Sequence, residues 1–309
     1  MPTSNRHRPS TAPDQRSAPG EALRVSVVVL TYNWPEALRL VLRGLARQSR
    51  LPDEVIVSDD GSGADTAALL RELAQDFPAR LVHLWQEDRG ARMSRARNRG
   101  IAAARGEYVV LIDGDMVAQR DFLADHCAFA RPGCFVQGSR VLAGEARTRD
   151  MLARGELDLG FFARGIERRR HTLRNPLLRQ LAGRPRISQS GIKSCNWGFW
   201  RADLLRLNGF NEAMVGWGRE DNELAARAFH AGLRRRDLRF GGQAVHLWHR
   251  TRKALQDNPN DAVLAETRTR RLVRCDIGLD RHLEELAVAP PDLRPPDPTH
   301  AATRRGQAC

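Results

Sequence analysis

The sequence predicts an α/β domain built on a mostly parallel, doubly wound sheet, and three observations predict it. Apolar runs of strand type alternate with segments of helical spacing four times within about 90 residues. Polar residues gather just after three of those runs, where open α/β sheets bind ligands. The G-x-G-x-x-G turn of dinucleotide-binding domains does not follow the first strand, so the sheet serves another polar ligand.

Leu23 to Thr31 (LRVSVVVLT) is the first buried strand, followed by Tyr32-Asn33-Trp34 and Pro35, a residue suited to a helix first turn. Ala37, Leu38, Val41, Leu42 and Leu45 then recur at helical spacing. Glu54 to Ser58 is the second strand, ending in Asp59-Asp60-Gly61-Ser62, and a helix with Leu69, Leu70 and Leu73 follows. Leu81 to Trp85 is a third strand; Gly90 to Ala104 is helical and carries four arginines. The fourth strand, Tyr108 to Ile112, stops at Asp113-Gly114-Asp115. Beyond it, Phe122 to Phe129 reads as a helix and Cys134 to Gly138 as a strand.

Asp113 and Asp115 are set one residue apart, so on an extended backbone their side chains share a face. Gly114 removes bulk between them and allows close backbone approach. Two like charges this close need compensation, and oxygen ligands suit a hard divalent cation such as Mg²⁺ or Mn²⁺. Asp-Gly is also ordinary turn chemistry, so the motif alone decides little.

The blocks VSVVVLTYN, DEVIVSDDGS and ARNRGIAAARGEYVVLIDGDM, in this order across about residues 24–116, resemble the nucleotide-binding half of family 2 glycosyltransferases. That resemblance implies the GT-A fold, an α/β domain with a mostly parallel, Rossmann-like central sheet. It also implies that Thr31, Tyr32, Asn33 and Asp60 hold the base and ribose of a nucleotide-sugar. The D-x-D motif would carry a divalent metal on the diphosphate, Asp115 as the direct ligand and Asp113 nearer the ribose or sugar. Arg97 and Asn98 fall in the segment that lines the donor cleft in that family; read from the residues alone, Arg97 is equally a solvated helix face.

A second block of chemistry starts at Gly191, with a strand, a short helix from Arg201, a Gly-rich aromatic loop and a helix from Glu220. Acids at a helix start are favoured by its dipole and serve as caps. W-G-x-E-D-x-E also resembles the acceptor-side motif of galactosyltransferases and chondroitin-polymerase-type enzymes. This implies Asp221 as the base of an inverting transfer, Glu220 as its alternate and Trp217 as a sugar-stacking platform. Trp197 either does the same or fills the core. Gln243 to His249 reads as a strand with His246 and His249 at its end. Relatives of galactosyltransferases take a third metal ligand from this region, which implies His249 first and His246 close behind, and an imidazole suits Mn²⁺ better than Mg²⁺. Arg147 to Gly183 is Arg-dense and is expected to be a flap over the cleft or a solvated basic face. Leu264 to Leu286 reads as C-terminal helices.

These readings give one domain over 23–286, with a donor half at 23–138 and an acceptor half at 139–286, between disordered arms at 1–22 and 287–309. No run of 18 apolar residues exists, and the first twenty residues lack the apolar core of a signal peptide. Five scattered cysteines without CxxC argue against a zinc site or a disulfide framework and for a reducing cytoplasm. The net charge of +13, carried mainly by Arg, fits an anionic substrate or an anionic membrane surface at the inner face, or simply a GC-rich coding bias. Nucleic acid is not an expected partner, because the Arg-dense segments lack interleaved aromatics. The expected activity is a metal-dependent, inverting transfer from a UDP-type nucleotide-sugar to a carbohydrate or other hydroxyl acceptor. The alternatives are a basic nucleic-acid- or membrane-surface-binding protein on an inactive fold, and a sugar nucleotidyltransferase. The last needs a basic, Gly-rich loop that TYNWPE lacks.

Overall fold

The computed structural model describes residues 22–250, 258–288 and 290–294. Strand β1 (Val25–Thr31) is buried along its whole length, as its continuous apolar run requires of a strand covered on both faces. Helix α1 (Pro35–Ala46) starts on Pro35 and turns its apolar stripe inward. Next come β2 (Glu54–Asp59), α2 (Ala64–Ala74), β3 (Arg80–Trp85), α3 (Met93–Ala103) and β4 (Tyr108–Asp113). These are the strand–helix units read from the sequence. Successive strand residues feed opposite layers: Val27 and Val29 face α1 and α2, while Val28, Ile56 and Leu111 face α3 and the later chain.

The second half adds β5 (Met116–Ala118), α4 (Phe122–Phe129), β6 (Cys134–Gly138), β7 (Val141–Ala143), α5 (Glu145–Arg154), β8 (Ile166–Glu167) and α6 (Pro176–Ala182). Then follow β9 (Asn196–Trp200), α7 (Arg201–Leu207), α8 (Glu220–His230), β10 (Arg234–Leu238), β11 (Ala244–His246) and α9 (Asn260–Thr269). The central sheet has seven strands in the order β10-β6-β9-β4-β1-β2-β3. All pairings are parallel except those of β9, which runs antiparallel to β4 and β6. A second sheet, β5-β11-β7-β8, sits beside it.

Three expectations change. Arg147 to Gly183 is neither a loose flap nor a merely solvated face. Met151, Leu157 and Leu159 join the core, and Arg174 and Arg179 pair with the buried Asp125. The strand expected over Gln243 to His249 is shorter, because only Ala244–His246 finds partners on both sides. Of the expected arms, the first lies outside the described residues apart from Ala22, and the second does so from 295 on. Residues 290–294 are no loose tail: the Leu293 amide donates to Leu81 O at 2.8 Å, and the Leu81 amide donates to the Asp292 carboxylate at 3.1 Å. They lie along the β3 edge.

Candidate functional site

Strands β4, β1 and β2 are hydrogen-bonded neighbours, and their carboxyl ends meet: Leu30 is in register with Asp113, and Thr31 with Asp59. The three polar clusters of the sequence therefore share one rim. Thr31 is buried, while Tyr32 is half exposed and donates its hydroxyl to Asp88. Asn33 takes a left-handed conformation (φ 46°); its side-chain Oδ1 accepts from the Gly63 amide, and its backbone amide donates to Ser62 Oγ. Asp59 is occupied by His83 and by the Ser62 amide. Asp60 accepts from Gln86 Nε2 (2.6 Å) and the Arg92 amide (2.9 Å), and its burial pushes the carboxyl up from its ordinary range.

The turn after β4 is pressed onto β1. The Gly114 amide donates to Leu30 O at 2.7 Å, and a methyl group there would lie 2.9 Å from that oxygen and 3.0 Å from Thr31 Oγ1. Here the absent side chain is what lets the two acids reach the rim. Asp113 accepts from Arg97 NH2 at 2.9 Å. Arg97, only 4% exposed, is not a solvated helix residue: its NH1 lies 3.7 Å from Glu220, and its guanidinium sits over the Phe210 ring. Its neighbouring carboxylates overcome the cost of burying the charge and hold its pKa above the ordinary value.

Asp115 Oδ2 lies 3.2 Å from His249 Nε2 and 3.5 Å from His246 Nε2, and ligand atoms of all three residues fall within 4.8 Å of one another. The Leu247 amide donates to Asp115 O at 2.9 Å, which clamps the D-x-D turn to the end of β11. Burial raises the Asp115 carboxyl, but the His249 hydrogen bond and the His246, His249 and Arg140 charges outweigh it and hold it below its ordinary range. The hydrogen bond to Asp115 raises His249, whereas burial lowers His246. Asp115 Oδ1 is buried with no hydrogen-bond partner. A carboxylate with one oxygen facing two imidazoles and the other left without a partner is a donor set that fits a borderline divalent cation. Both histidines reach this cluster, His249 the nearer to Asp115. Asp113, held on Arg97, stands outside it.

The W-G-x-E-D-x-E motif forms a cleft of ≈ 230 Å³, walled by Trp217, Glu220, Asp221, Lys193 and Asn258 among others. Positive φ at Gly216, Gly218 and Arg219 bends the loop sharply, and Asn258 and Asn260 hold it by donating to Trp217 O, Val215 O and Gly218 O. Trp217 is half exposed. The acids at the start of α8 divide the work. Glu223 is buried against Arg227 (2.6 Å) and accepts from Thr267 Oγ1, tying α8 to α9. Glu220 accepts from the Gly218 amide at 3.0 Å, which ties the start of α8 back to the loop before it. Asp221 accepts from the Asn222 amide, and burial together with the Glu220 charge pushes its carboxyl up to about 6.

Two expected site residues are elsewhere. Trp197 is fully buried in interior strand β9, donating Nε1 to Gln137 Oε1 and stacking on Phe210. It fills the core, as a side chain on a strand covered on both faces must. Asn98 is also fully buried, on the inner face of α3. It donates to Phe210 O and Glu212 and accepts from the Phe210 amide, so it splices α3 to the loop after α7 instead of lining a cleft. Sequence reading missed Lys193 and Asn258 in the cleft, and Arg140, whose charge acts on the Asp115 cluster. Lys193 is one of only two lysines in an Arg-rich chain, the one signal that singles it out.

Residues 26–189 match the glycosyl transferase family 2 model, and residues 180–250 match the N-terminal domain of galactosyltransferase. Chondroitin synthase of Escherichia coli is 28% identical over 245 residues, 72% of this chain and 34% of its own. Validoxylamine A glucosyltransferase of Streptomyces hygroscopicus subsp. limoneus is 27% identical over 237 residues, 68% of this chain and 48% of its own. The chain thus spans less than half the length of either. The fold is similar to that of S. aureus TarS residues 1–349 solved with UDP-GlcNAc (TM-score 0.55, 17% identity, 86% of this chain and 72% of that one). No helix among the described residues is long and apolar enough to cross a membrane.

Proposed function

The chain belongs to glycosyl transferase family 2, and from that premise we propose that it moves a sugar from a UDP-linked donor to an acceptor hydroxyl with inversion. The observation that carries this reading is Arg97, whose one guanidinium contacts the donor-side acid Asp113 (2.9 Å) and approaches the acceptor-side acid Glu220 (3.7 Å). Through it the two motifs act as one centre. The UDP-GlcNAc complex of the TarS fold supports a uridine donor.

In this mechanism the base and ribose lie along Thr31, Tyr32, Asn33 and Asp60, with Asp113 toward the ribose or sugar. Asp115, His246 and His249 would hold a divalent cation, with Mn²⁺ favoured over Mg²⁺ by the imidazoles. Such a cation, when bound, neutralises charge on the departing diphosphate. Trp217 offers an aromatic face to the acceptor, a carbohydrate or another hydroxyl compound. Asp221 takes the proton from the acceptor hydroxyl as that oxygen attacks the anomeric carbon. The bond to the diphosphate breaks on the opposite face, and the new glycosidic bond has inverted configuration. A carboxyl raised to about 6 suits the role, because it is ionised at neutral pH yet more basic than an ordinary aspartate. The free cysteines among the described residues fit a reducing cytoplasm as the site of action.

The test is UDP binding by calorimetry with Mn²⁺ and with chelator, followed by UDP release from a panel of UDP-sugars. Tight metal-dependent binding and turnover of one donor are expected. Absence of UDP binding under both conditions would overturn the reading.

A further inference from the structure

Helix α6 is turned inside out. Its buried residue is Arg179, whose guanidinium pairs with the buried Asp125, while Leu177 and Leu181 are 78% and 68% exposed. Leu177 and Leu181 are four residues apart, so they share a face, and Arg179 between them points to the opposite side. The arrangement is fixed, not frayed. The Asn175 side chain accepts from the Leu177 and Leu178 amides, the Asn175 amide donates to Phe240 O, and Arg236 donates to Gly183 O. The buried Arg179–Asp125 pair and these backbone contacts thus hold the leucines out in solvent.

These leucines have company. Of the fifteen large apolar side chains exposed among the described residues, seven lie between 161 and 187, including Phe162 at 88% and Ile187 at 69%. The same segment carries eight arginines and a single acid, Glu167; Arg174 and Arg179 are matched by Asp125 and Arg186 by Asp237, which leaves Arg164, Arg168, Arg169, Arg170 and Arg184 to set its charge. A soluble monomer seldom concentrates exposed apolar side chains in this way without a use. Leucine and phenylalanine projecting from a strongly basic surface match the interfacial zone of a bilayer, where apolar groups enter the acyl boundary and guanidinium groups meet anionic headgroups.

We propose that segment 161–187 is a docking surface for an anionic lipid bilayer, with Leu177, Leu181, Phe162 and Ile187 as its inserting side chains. The charge of the segment selects this occupant over a neutral membrane. The surface is wired to the transfer centre, since β8 within it pairs with β7, and β7 with β11, the strand that ends in His246. Docking would therefore fix the orientation of the metal cluster to the membrane plane. The proposal stands apart from the transferase reading, because lipid attachment is measured without donor or turnover.

The test is flotation of the full chain with vesicles of phosphatidylcholine alone and of phosphatidylcholine with phosphatidylglycerol. Flotation only with the anionic vesicles is expected. The double variant Leu177→Glu/Leu181→Glu, both at exposed sites, should keep the melting temperature and UDP binding but float roughly tenfold less or worse. Leu51→Glu, an exposed leucine elsewhere, should float as the parent does. Equal flotation of the double variant would overturn the proposal, because attachment would then rest on the general basic charge. So would a parent chain that never floats but forms dimers which the double variant dissolves, because the occupant would then be a second copy.

Discussion

Glu220 and Asp221, neighbours on the first turn of α8, are held in opposite ways: Glu220 folds back to accept the Gly218 amide and approaches Arg97, while Asp221 faces the cleft with a carboxyl raised to about 6. The loop-holding contact and the raised carboxyl thus fall on different side chains.

Asp221→Asn is accordingly expected to leave the helix intact, since the Gly218 amide stays satisfied by Glu220. Single-turnover transfer should fall by roughly 10²–10⁴-fold, the usual share of a general base, with UDP affinity unchanged. A base works deprotonated, so transfer by the parent should rise as pH passes upward through about 6 and then level off. The variant should lack that limb. Near-normal transfer by Asp221→Asn would move the base elsewhere, with Glu220 next.

Arg97→Gln removes a buried cation that faces two carboxylates. Losing one partner of such a cluster costs about 3–5 kcal/mol, read as a lower urea midpoint. The Arg97 charge also holds the Asp221 carboxyl down against its burial and the Glu220 charge. In the variant the rising limb should therefore shift to higher pH. A loss of stability with an unmoved limb would leave Arg97 a purely structural residue.

Metal binding should need all three of Asp115, His246 and His249. Replacing any one with Ala is expected to shrink the extra thermal stabilisation that Mn²⁺ gives to UDP binding. Metal ligation needs neutral imidazoles. Because the Asp115 hydrogen bond raises His249, its protonation is met first as pH falls, and Mn²⁺ affinity should weaken through that range. Titration of Mn²⁺ against pH without donor measures this directly.

Gly114→Ala should destabilise by about 1–3 kcal/mol, the usual cost of overpacking, because the new methyl would meet Leu30 O and Thr31 Oγ1 inside normal contact distance. Relief of that clash pushes Asp113 and Asp115 off the rim, so UDP affinity should fall along with the unfolding midpoint. Unchanged values for both would mean that the turn shifts freely.

The first four strands, their helices and the two acidic motifs were legible because each is a long periodic run or a compact chemical pattern. The second sheet was not: its strands are two or three residues long, too short for alternation to register. Arg97 and Asn98 sit in the Arg-rich first part of a helix whose large apolar residues are only Met93 and Ile101, and sequence alone does not say which side faces inward. Asn98 proved to be a splice between elements and Arg97 a bridge between motifs. Trp197 was ambiguous because an aromatic before a glycine reads alike in a cleft and in an interior strand. Only its neighbours β4 and β6 decide.

The central sheet ends in β3 on one side and β10 on the other, and another segment meets each outer edge at one residue. Residues 290–294 lie along β3, and Arg186 exchanges both backbone hydrogen bonds with Arg235 of β10 (2.9 and 2.8 Å). A bare outer strand offers a row of amides and carbonyls to any other chain that can extend alongside it. The segment after the last helix therefore occupies the pairing groups of Leu81, one step of that row. A chain cut before residue 290 should keep the rim at Asp113 and Asp60 and yet precipitate sooner on storage, through the step of β3 that it leaves open.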